Sequence, residues 1–380
     1  MNILKYSLPG RIHFGIDNIK EMASLVKSKG KRVFFITDPE LRGSPRFRSL
    51  LFQLQEKDVN TVVYDNLSVL ITLDGLNEAA KLAKAGQVDI IGAYGGTSAT
   101  LAAKAVALSV KSGTAKGIIN SDGTGDSLPV YSFTTSMRNY SVFQPHGYII
   151  NKKSMRPMFF NLATVPVEFA FFDGSFTDTL SVKSQSTIAL DIILASIEGL
   201  LEPDNSYILK TLFSKALVYA FTALSDHTRK KHEQGNENQW KAGILVSMTT
   251  DSCRRGIGSA LSEAFRLSRQ IPRSWSSGVL LPHIIDENLG KDPDLFRRIV
   301  HEIDEDLFHL TTSEAVLYLG SLIRRRIAQL ELPSRLSDLG ITNIQLREGA
   351  ELAVALAAPE KVFKTKWGIK ETITLAEKAL

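Results

Sequence analysis

A glycine-rich segment gives the clearest chemical signal in this sequence. Residues 92–98 read Gly-Ala-Tyr-Gly-Gly-Thr-Ser, between a run typical of a buried strand and a run typical of a helix. Paired glycines let a backbone approach a phosphate, and the first turn of a helix offers N–H donors and a positive dipole. The segment is not a GxGxxG motif, and a tight turn with a Ser or Thr cap is the plainer alternative. If it binds a nucleotide, we expect the phosphates to contact its last four residues: Gly95, Gly96, Thr97 and Ser98.

Two other predicted strand ends carry side chains that suit a nucleotide. Asp38 follows an early strand, where an acidic group can accept hydrogen bonds from an adenosine ribose and repel a 2′-phosphate. Thr134 and Thr135 end a later strand, and their hydroxyls could bond a phosphate or a ribose. Plainer explanations exist for both, since Asp38 could be a helix N-cap before Pro39 and threonine is common at strand ends.

The first half of the chain alternates strand-like and helix-like segments. The strand-like runs are short, β-branched or aromatic, and bounded by turn residues; they span 32–37, 61–65, 88–92 and 130–134. The helix-like segments span 18–28, 47–57, 73–85 and 98–112. This alternation predicts a mostly parallel sheet covered on both faces, with ligands bound at the carboxyl ends of its strands.

The second half of the chain is predicted to be helical. Strand signals nearly vanish after about residue 180, and the periodic segments there span 186–200, 207–224, 260–268, 295–303 and 313–330. Asp173-Gly174 follows the last strand-like run, 169–172, and is expected to be a hinge. The expected fold is therefore an α/β nucleotide-binding domain, residues 1–178, followed by an all-α domain, residues 179–380.

Composition narrows the class of protein. With 380 residues, 44% hydrophobic and 22% charged, the chain is expected to be soluble and long enough for two domains. Its 45 basic residues are interleaved with 40 acidic ones, which argues against a nucleic-acid partner and favours a small-molecule one. Cys253 is the single cysteine, so the chain has no internal disulfide and no Cys-based zinc site. The N-terminus lacks a signal-peptide core and no apolar run approaches ~18 residues, so we expect a cytoplasmic protein without a membrane partner.

Several segments, taken in chain order, resemble the iron-containing (group III) alcohol dehydrogenases. They are GRIHFG (10–15), ITDPEL (36–41), GGTSATLAAKA (95–105), FTT (133–135), the segment 166–173, a helix with Asp191 and Glu198, and LPSRLSDLG (332–340). The resemblance runs nearly end to end. It implies the dehydroquinate synthase-like fold of that family, with an N-terminal dinucleotide-binding domain, a C-terminal helical domain and an active site in the cleft between them. It also implies a homodimer.

The resemblance implies NAD as the cofactor, with NADP less favoured. The family's GGGS turn is matched at Gly95, Gly96 and Ser98, with Thr97 in place of the third glycine. Asp38 matches the aspartate that favours NAD. Two threonines of the family are matched by Thr134 and Thr135, and a lysine that reaches the nicotinamide side of the cofactor is matched by Arg156.

Some positions depart from the family's cofactor pattern. Leu101 stands where an aspartate is expected, and residues 136–140 are bulky where the family has small residues. Bulk there narrows the approach of the backbone to the phosphates. Arg138 could instead pair with one of them.

The family's metal site is matched in position, but only Asp191 keeps the residue type of a metal ligand. Its metal is held by an Asp and a His four residues apart on a helix and by two further His fourteen apart, and another His, four after the first of that pair, relays protons. These places hold Asp191, Ala195, Ser259 and Arg273, and the relay place holds Glu263. Alanine has no lone pair, serine is a weak ligand and arginine repels a cation. We therefore expect no metal at this site.

The replacement residues suggest a different chemistry. Arg273 could supply a fixed positive charge in place of the ion, held by Asp191, while Ser259 bonds the reacting oxygen and Glu263 transfers the proton. The favoured hypothesis is a metal-independent, NAD(H)-dependent oxidoreductase for a carbonyl or alcohol of a small polar or anionic substrate, in a specialised pathway. The alternatives are a catalytically silent homologue that binds a nucleotide or a partner, its charged residues filling a dead site, and a dehydroquinate-synthase-like enzyme, which would also need a metal.

Overall fold

The chain divides into two compact units. In the computed structural model the described residues are 8–380 without 9, 68–70, 114, 120–124, 152, 155, 178–179, 229–231, 250–255, 289–291 and 358–366. The α/β unit lies within Lys5–Thr179 and the helical unit within Leu180–Leu380.

The α/β unit is built on a parallel sheet. Its elements are β1 (Arg11–Gly15), α1 (Ile19–Lys27), β2 (Arg32–Thr37), α2 (Pro39–Arg42), α3 (Pro45–Gln55), β3 (Asn60–Tyr64), α4 (Leu73–Ala85), β4 (Ile90–Gly95), α5 (Thr97–Ser112), α6 (Ala115–Ile119), β5 (Val130–Thr134), β6 (His146–Ile150), β7 (Pro157–Asn161) and β8 (Val167–Asp173). Six strands pair in the order β1-β8-β5-β4-β2-β3, all parallel, and β6 and β7 form a separate antiparallel hairpin.

The central strands are buried on both faces, as a covered parallel sheet requires. Every residue of β4 and β5 is buried, and in β2 all but Arg32 are. Aromatic side chains fill one part of this core: the rings of Phe35 and Phe133 lie 5.5 Å apart, and those of Phe133 and Phe171 stack at 4.9 Å. The predicted α/β sheet is confirmed.

The expected boundary of β4 was wrong. The sequence predicts that the strand ends at residue 92 and that a glycine turn follows, but β4 continues to Gly95. A Cβ on Gly92 would lie 2.7 Å from two carbons of the Phe35 ring, so this glycine gives the ring room to pack across the strand. Only Gly96 separates β4 from α5.

The helical unit begins with α7 (Val182–Leu201). The other helices are α8 (Tyr207–Thr228), α9 (His232–Met248), α10 (Ile257–Arg269), α11 (Arg273–Asn288), α12 (Pro293–Ile303), α13 (Thr312–Gln329), α14 (Asn343–Ala357) and α15 (Ile369–Lys378). Helix α7 packs against α8, α10 and α11. By length and composition α7 and α8 could each cross a membrane, but 83% of the apolar window of α7 is buried inside the unit, as in a core helix. The predicted helical second half is confirmed.

Candidate functional site

Three strands of the α/β unit end side by side. Thr37 of β2 lies opposite Tyr94 of β4, and Gly95 of β4 lies opposite Thr134 of β5. From β2 the chain continues outward to β3, whereas from β4 it continues to β5 in the opposite direction. The point where the strand order reverses in this way, here between β2 and β4, is where open α/β sheets bind their ligands.

The residues at these strand ends and directly after them are here named the cofactor edge. It comprises Asp38, Gly95, Gly96, Thr97, Ser98 and Thr135. All but the buried Gly95 are partly exposed. The backbone N–H of Thr135 donates to the carbonyl of Gly95 at 3.1 Å, which ties the ends of β4 and β5 together.

Two glycines shape the centre of the cofactor edge. A Cβ on Gly95 would lie 2.7 Å from Cβ of Ala99 and 3.3 Å from Oδ2 of Asp38, so the Asp38 carboxylate sits directly beside this turn. A Cβ on Gly96 would meet Cβ of Ser136 at 3.4 Å and nothing closer. Gly96 is the N-cap of α5 and makes no side-chain cap hydrogen bond, so the first turn of that helix faces an open position. This cradle fits a dinucleotide, whose phosphates suit a helix N-terminus and whose ribose suits Asp38.

Of the two predicted threonines, only Thr135 is presented at the edge. Thr134 is fully buried, and its hydroxyl lies 3.2 Å from Oγ of Ser132. Asn139 Nδ2 joins this internal network, 2.9 Å from Oγ1 of Thr100. This network joins β5 to α5, because Oγ of Ser132 also lies 3.0 Å from Oγ1 of Thr100.

The two predicted arginines lie in different parts of the α/β unit. Arg138 is half-buried in the segment after β5, and its carbonyl accepts a hydrogen bond from Oγ of Ser136 at 3.0 Å. Arg156 is exposed on the β6–β7 hairpin, where its carbonyl accepts from the N–H of Asn151 at 3.0 Å. Contact of either side chain with a cofactor stays a prediction.

A buried tyrosine, Tyr94, directly precedes Gly95 of the cofactor edge. Tyr94 stacks on Phe47 with 4.4 Å between ring centroids, and its hydroxyl lies 3.3 Å from Oγ of Ser44. Burial raises the pKa of Tyr94 to about 12, so the phenol is protonated at neutral pH. Only its place in the glycine segment had pointed to this residue.

In the helical unit, Asp191 and Arg273 form a buried ion pair. Arg273 Nη2 donates to Oδ2 of Asp191 at 2.7 Å, and Ser277 donates its hydroxyl to Oδ1 at 2.7 Å. The two side chains of the pair are only 3% and 12% exposed, so the charges are held away from water. Arg273 and Ser277 are four residues apart on α11 and so share the face that packs on α7. Ser277 was not predicted, although its spacing from Arg273 was a signal for it.

Glu263 is also paired, with a residue that the sequence analysis missed. Its side chain is 1% exposed, and Arg266, three residues further along α10, donates from Nη2 to Oε1 at 2.6 Å. Arg266 Nε also lies within 3.2 Å of both carboxylate oxygens. The i,i+3 spacing on a helix indicates such a pair.

Ser259 lies in the first turn of α10, where a distant carboxylate caps the helix. Glu198 of α7 accepts hydrogen bonds from the N–H of Gly258 at 2.6 Å and from that of Ser259 at 3.2 Å. A Cβ on Gly256 would fall 2.1 Å from Cδ of Glu198, so the carboxylate can approach only because this position is glycine. Glu198 thereby fixes the backbone of Ser259.

The residues at the positions of the family's metal ligands do not fit a metal ion. Asp191 is the one good ligand among them, and its Oδ2 is bound to a guanidinium that would repel a cation. Ala195 stands one turn after Asp191 and has no donor atom. Within the part of the chain that the structure describes, no group of three His, Cys, Asp or Glu side chains could hold an ion.

Comparisons with known proteins find similarity to alcohol dehydrogenases and related reductases. The family model described as iron-containing alcohol dehydrogenase matches residues 9–167. A 1,3-propanediol dehydrogenase of Citrobacter freundii is 22% identical over 368 residues, 92% of each chain. The structure of an alcohol dehydrogenase from Oenococcus oeni superposes with a TM-score of 0.88 at 17% identity and covers 100% of both chains. A sulfoacetaldehyde reductase from Bifidobacterium kashiwanohense, solved with NAD+, gives a TM-score of 0.81 at 16% identity and covers 100% of this chain and 99% of its own. At such identities the solved structures establish the fold.

Proposed function

We propose that this chain is a member of the iron-containing alcohol dehydrogenase family and an NAD(H)-dependent oxidoreductase that interconverts a carbonyl and an alcohol without a metal ion. The proposed substrate is small and carries a polar or anionic group. The observation that carries this proposal is the buried ion pair of Arg273 and Asp191 at the place of the metal ligands.

A fixed guanidinium suits the charge that develops in this reaction. When bound, the nicotinamide ring supplies or accepts the hydride, and negative charge builds on the substrate oxygen. Arg273 would stabilise that charge. Little reorganisation would be needed, because Asp191 already holds the guanidinium and Ser277 already holds the Asp191 carboxylate. Ser259 would donate a hydrogen bond to the same oxygen.

Glu263 is the proposed proton-transfer residue. Its pairing with Arg266 favours a role in alcohol oxidation, in which an ionised carboxylate accepts the hydroxyl proton. In the reverse direction the same group would return that proton to the alkoxide.

The cofactor part of the proposal depends on the cofactor edge. Asp38 beside the Gly95 turn and the open position at Gly96 suit the ribose and phosphates of NAD(H). Phosphate binding here would use backbone N–H groups at the start of α5, and so requires no basic side chain.

Calorimetric titration with NADH and NADPH, beside elemental analysis of the purified protein, tests this proposal. We expect NADH to bind, and turnover with a panel of small aldehydes to be unchanged by chelators and by added Fe²⁺ or Zn²⁺. Activity that disappears with EDTA and returns with metal would contradict metal independence. Failure of both cofactors to bind would contradict the oxidoreductase.

A second candidate function is a catalytically silent homologue that binds a nucleotide or a partner protein. The observation that favours it is that the acidic groups of the helical unit discussed above, Asp191, Glu198 and Glu263, already have internal partners. Under this alternative NADH binds but no aldehyde or alcohol is turned over. Turnover that is lost in Glu263→Gln, in protein that stays folded, would exclude it.

A further inference from the structure

A surface ion pair stands beside the ribose end of the cofactor edge. Asp65 follows β3 directly and Asp38 follows β2, and because Ile36 lies opposite Tyr64, the two aspartates come after neighbouring strand ends. Helix α2 starts right after Asp38 and ends at Arg42, one turn later. Arg42 Nη1 donates to Oδ2 of Asp65 at 2.6 Å.

A 2′-phosphate at this position would need a positively charged partner, and the guanidinium of Arg42 is already paired with Asp65. In dinucleotide-binding sheets an acidic residue after the second strand binds the ribose hydroxyls, and an arginine nearby accommodates a 2′-phosphate where one is present. Arg42 is such an arginine by position, with a side chain that is 60% exposed. Its guanidinium is turned toward β3 by Asp65.

The surroundings make this end of the edge acidic. Glu40 is exposed in α2, and Glu78 accepts a hydrogen bond from the hydroxyl of Tyr64 at 2.9 Å. The hydrogen bond from Arg42 lowers the pKa of Asp65, so this carboxylate is ionised at neutral pH. Asp38, Asp65 and Glu78 together outweigh the charge of Arg42.

We infer that Asp65 is a determinant of cofactor choice: by pairing with Arg42 it withholds that guanidinium from a 2′-phosphate, and so it favours NAD(H) over NADP(H). This rests on the proposed function, since it needs a nicotinamide cofactor at the cofactor edge. Asp38 alone would repel a 2′-phosphate, and Asp65 adds to this by removing the one favourable contact that Arg42 would offer.

The test is calorimetric titration of the full chain with NADH and with NADPH. The variants are Asp65→Asn, Asp65→Asn with Arg42→Ala, and Asp58→Asn as the matched control. Asp58 is exposed at the opposite end of the same strand, and its φ of 53° is one that asparagine tolerates. We expect Asp65→Asn to shift the NADPH-to-NADH affinity ratio toward NADPH by about three- to tenfold. We expect the double variant to lose this gain and Asp58→Asn to leave the ratio unchanged.

The outcomes separate this inference from the proposed function. NADH binding with an unchanged ratio in Asp65→Asn overturns the inference alone. A wild-type protein that already prefers NADPH overturns the inference and the NAD(H) preference of the proposed function, but leaves the proposed oxidoreductase standing. A gain that survives Arg42→Ala overturns the role given to the arginine. A wild-type protein that binds neither cofactor contradicts the proposed function and this inference together.

Discussion

The cofactor edge and the paired side chains of the helical unit are two different ways to build a site. The edge is made of backbone: strand ends, a glycine turn and a helix N-terminus, with residues that are mostly partly exposed. The paired side chains, here named the helical network, are Asp191 with Arg273 and Ser277, and Glu263 with Arg266. Asp191, Glu263 and Ser277 are all buried. A backbone cradle is open to a ligand before the ligand arrives, whereas the helical network already satisfies its own charges.

This difference predicts which substitutions should change the stability of the protein and which should change its affinity for a ligand. A buried charge that loses its partner remains in a low-dielectric site, so removing one member of the network should unfold the protein more readily. A bulky residue on an open turn displaces the ligand and leaves the fold intact. The variants below test this contrast.

The largest expected effect is that of Arg273→Met. Asp191 would then be a buried carboxylate without its guanidinium, and we expect the free energy of unfolding to fall by about 3–5 kcal/mol. Urea unfolding measures this. The matched control is Arg347→Met, which breaks the exposed pair with Glu377, with side chains 62% and 47% exposed, and should cost less than about 1 kcal/mol.

The double variant with Asp191→Asn separates structure from chemistry. Replacing both members of the pair removes the uncompensated charge, so most of the stability should return. Turnover should not return, because the proposed positive charge is still missing. Recovery of turnover together with stability would show that Arg273 has no part in the reaction.

The second expected effect is on binding, from Gly96→Val. The added side chain would stand over the first turn of α5, where its Cβ meets only Ser136 at 3.4 Å. We expect NADH affinity to fall by roughly a hundredfold, while the unfolding free energy falls by less than about 1 kcal/mol. Gly43→Val is the control, because a Cβ there meets nothing within 4 Å. Equal affinity in the two variants would mean that the phosphates do not lie at this turn.

The same contrast explains how much of the fold could be predicted from the sequence. The buried strands β2 and β5 are short apolar runs between turn residues, and their predicted bounds, 32–37 and 130–134, agree with the structure. Strand β1 contains Arg11 and His13 and pairs on one side only, so it lacks the continuous apolar run that reveals a buried strand. Strands β6 and β7 were missed as well, since they belong to a small separate hairpin.

More of the candidate site could be predicted from the sequence in the α/β unit than in the helical unit. At the cofactor edge, strand, glycine and helix follow one another along the chain, so local pattern was enough to place Gly96 and Ser98. In the helical unit the partners of Asp191 lie 82 and 86 residues away. The resemblance suggested that Asp191 and Arg273 would meet, but Ser277 required the packing of α11 on α7. The burial of Thr134 could not be predicted from the sequence either, because a residue at a strand end can point its hydroxyl inward or outward.

The smallest expected effect comes from Ser277→Ala, and it distinguishes a positioning residue from a merely buried one. Ser277 donates to the Asp191 carboxylate, and loss of a hydrogen bond to a charged group should cost about 1.5–3 kcal/mol of unfolding free energy. Ser276 is equally buried on the same helix, but its hydroxyl donates to the backbone carbonyl of Arg273, so Ser276→Ala should cost about 0.5–1.5 kcal/mol. If the Asp191–Arg273 pair acts on the substrate, only Ser277→Ala should also lower kcat, by roughly tenfold, because the guanidinium is then held less firmly where charge develops. A kcat that falls equally in both variants would reflect general loosening of α11, and the helical network would then be a structural feature of a fold whose chemistry lies elsewhere.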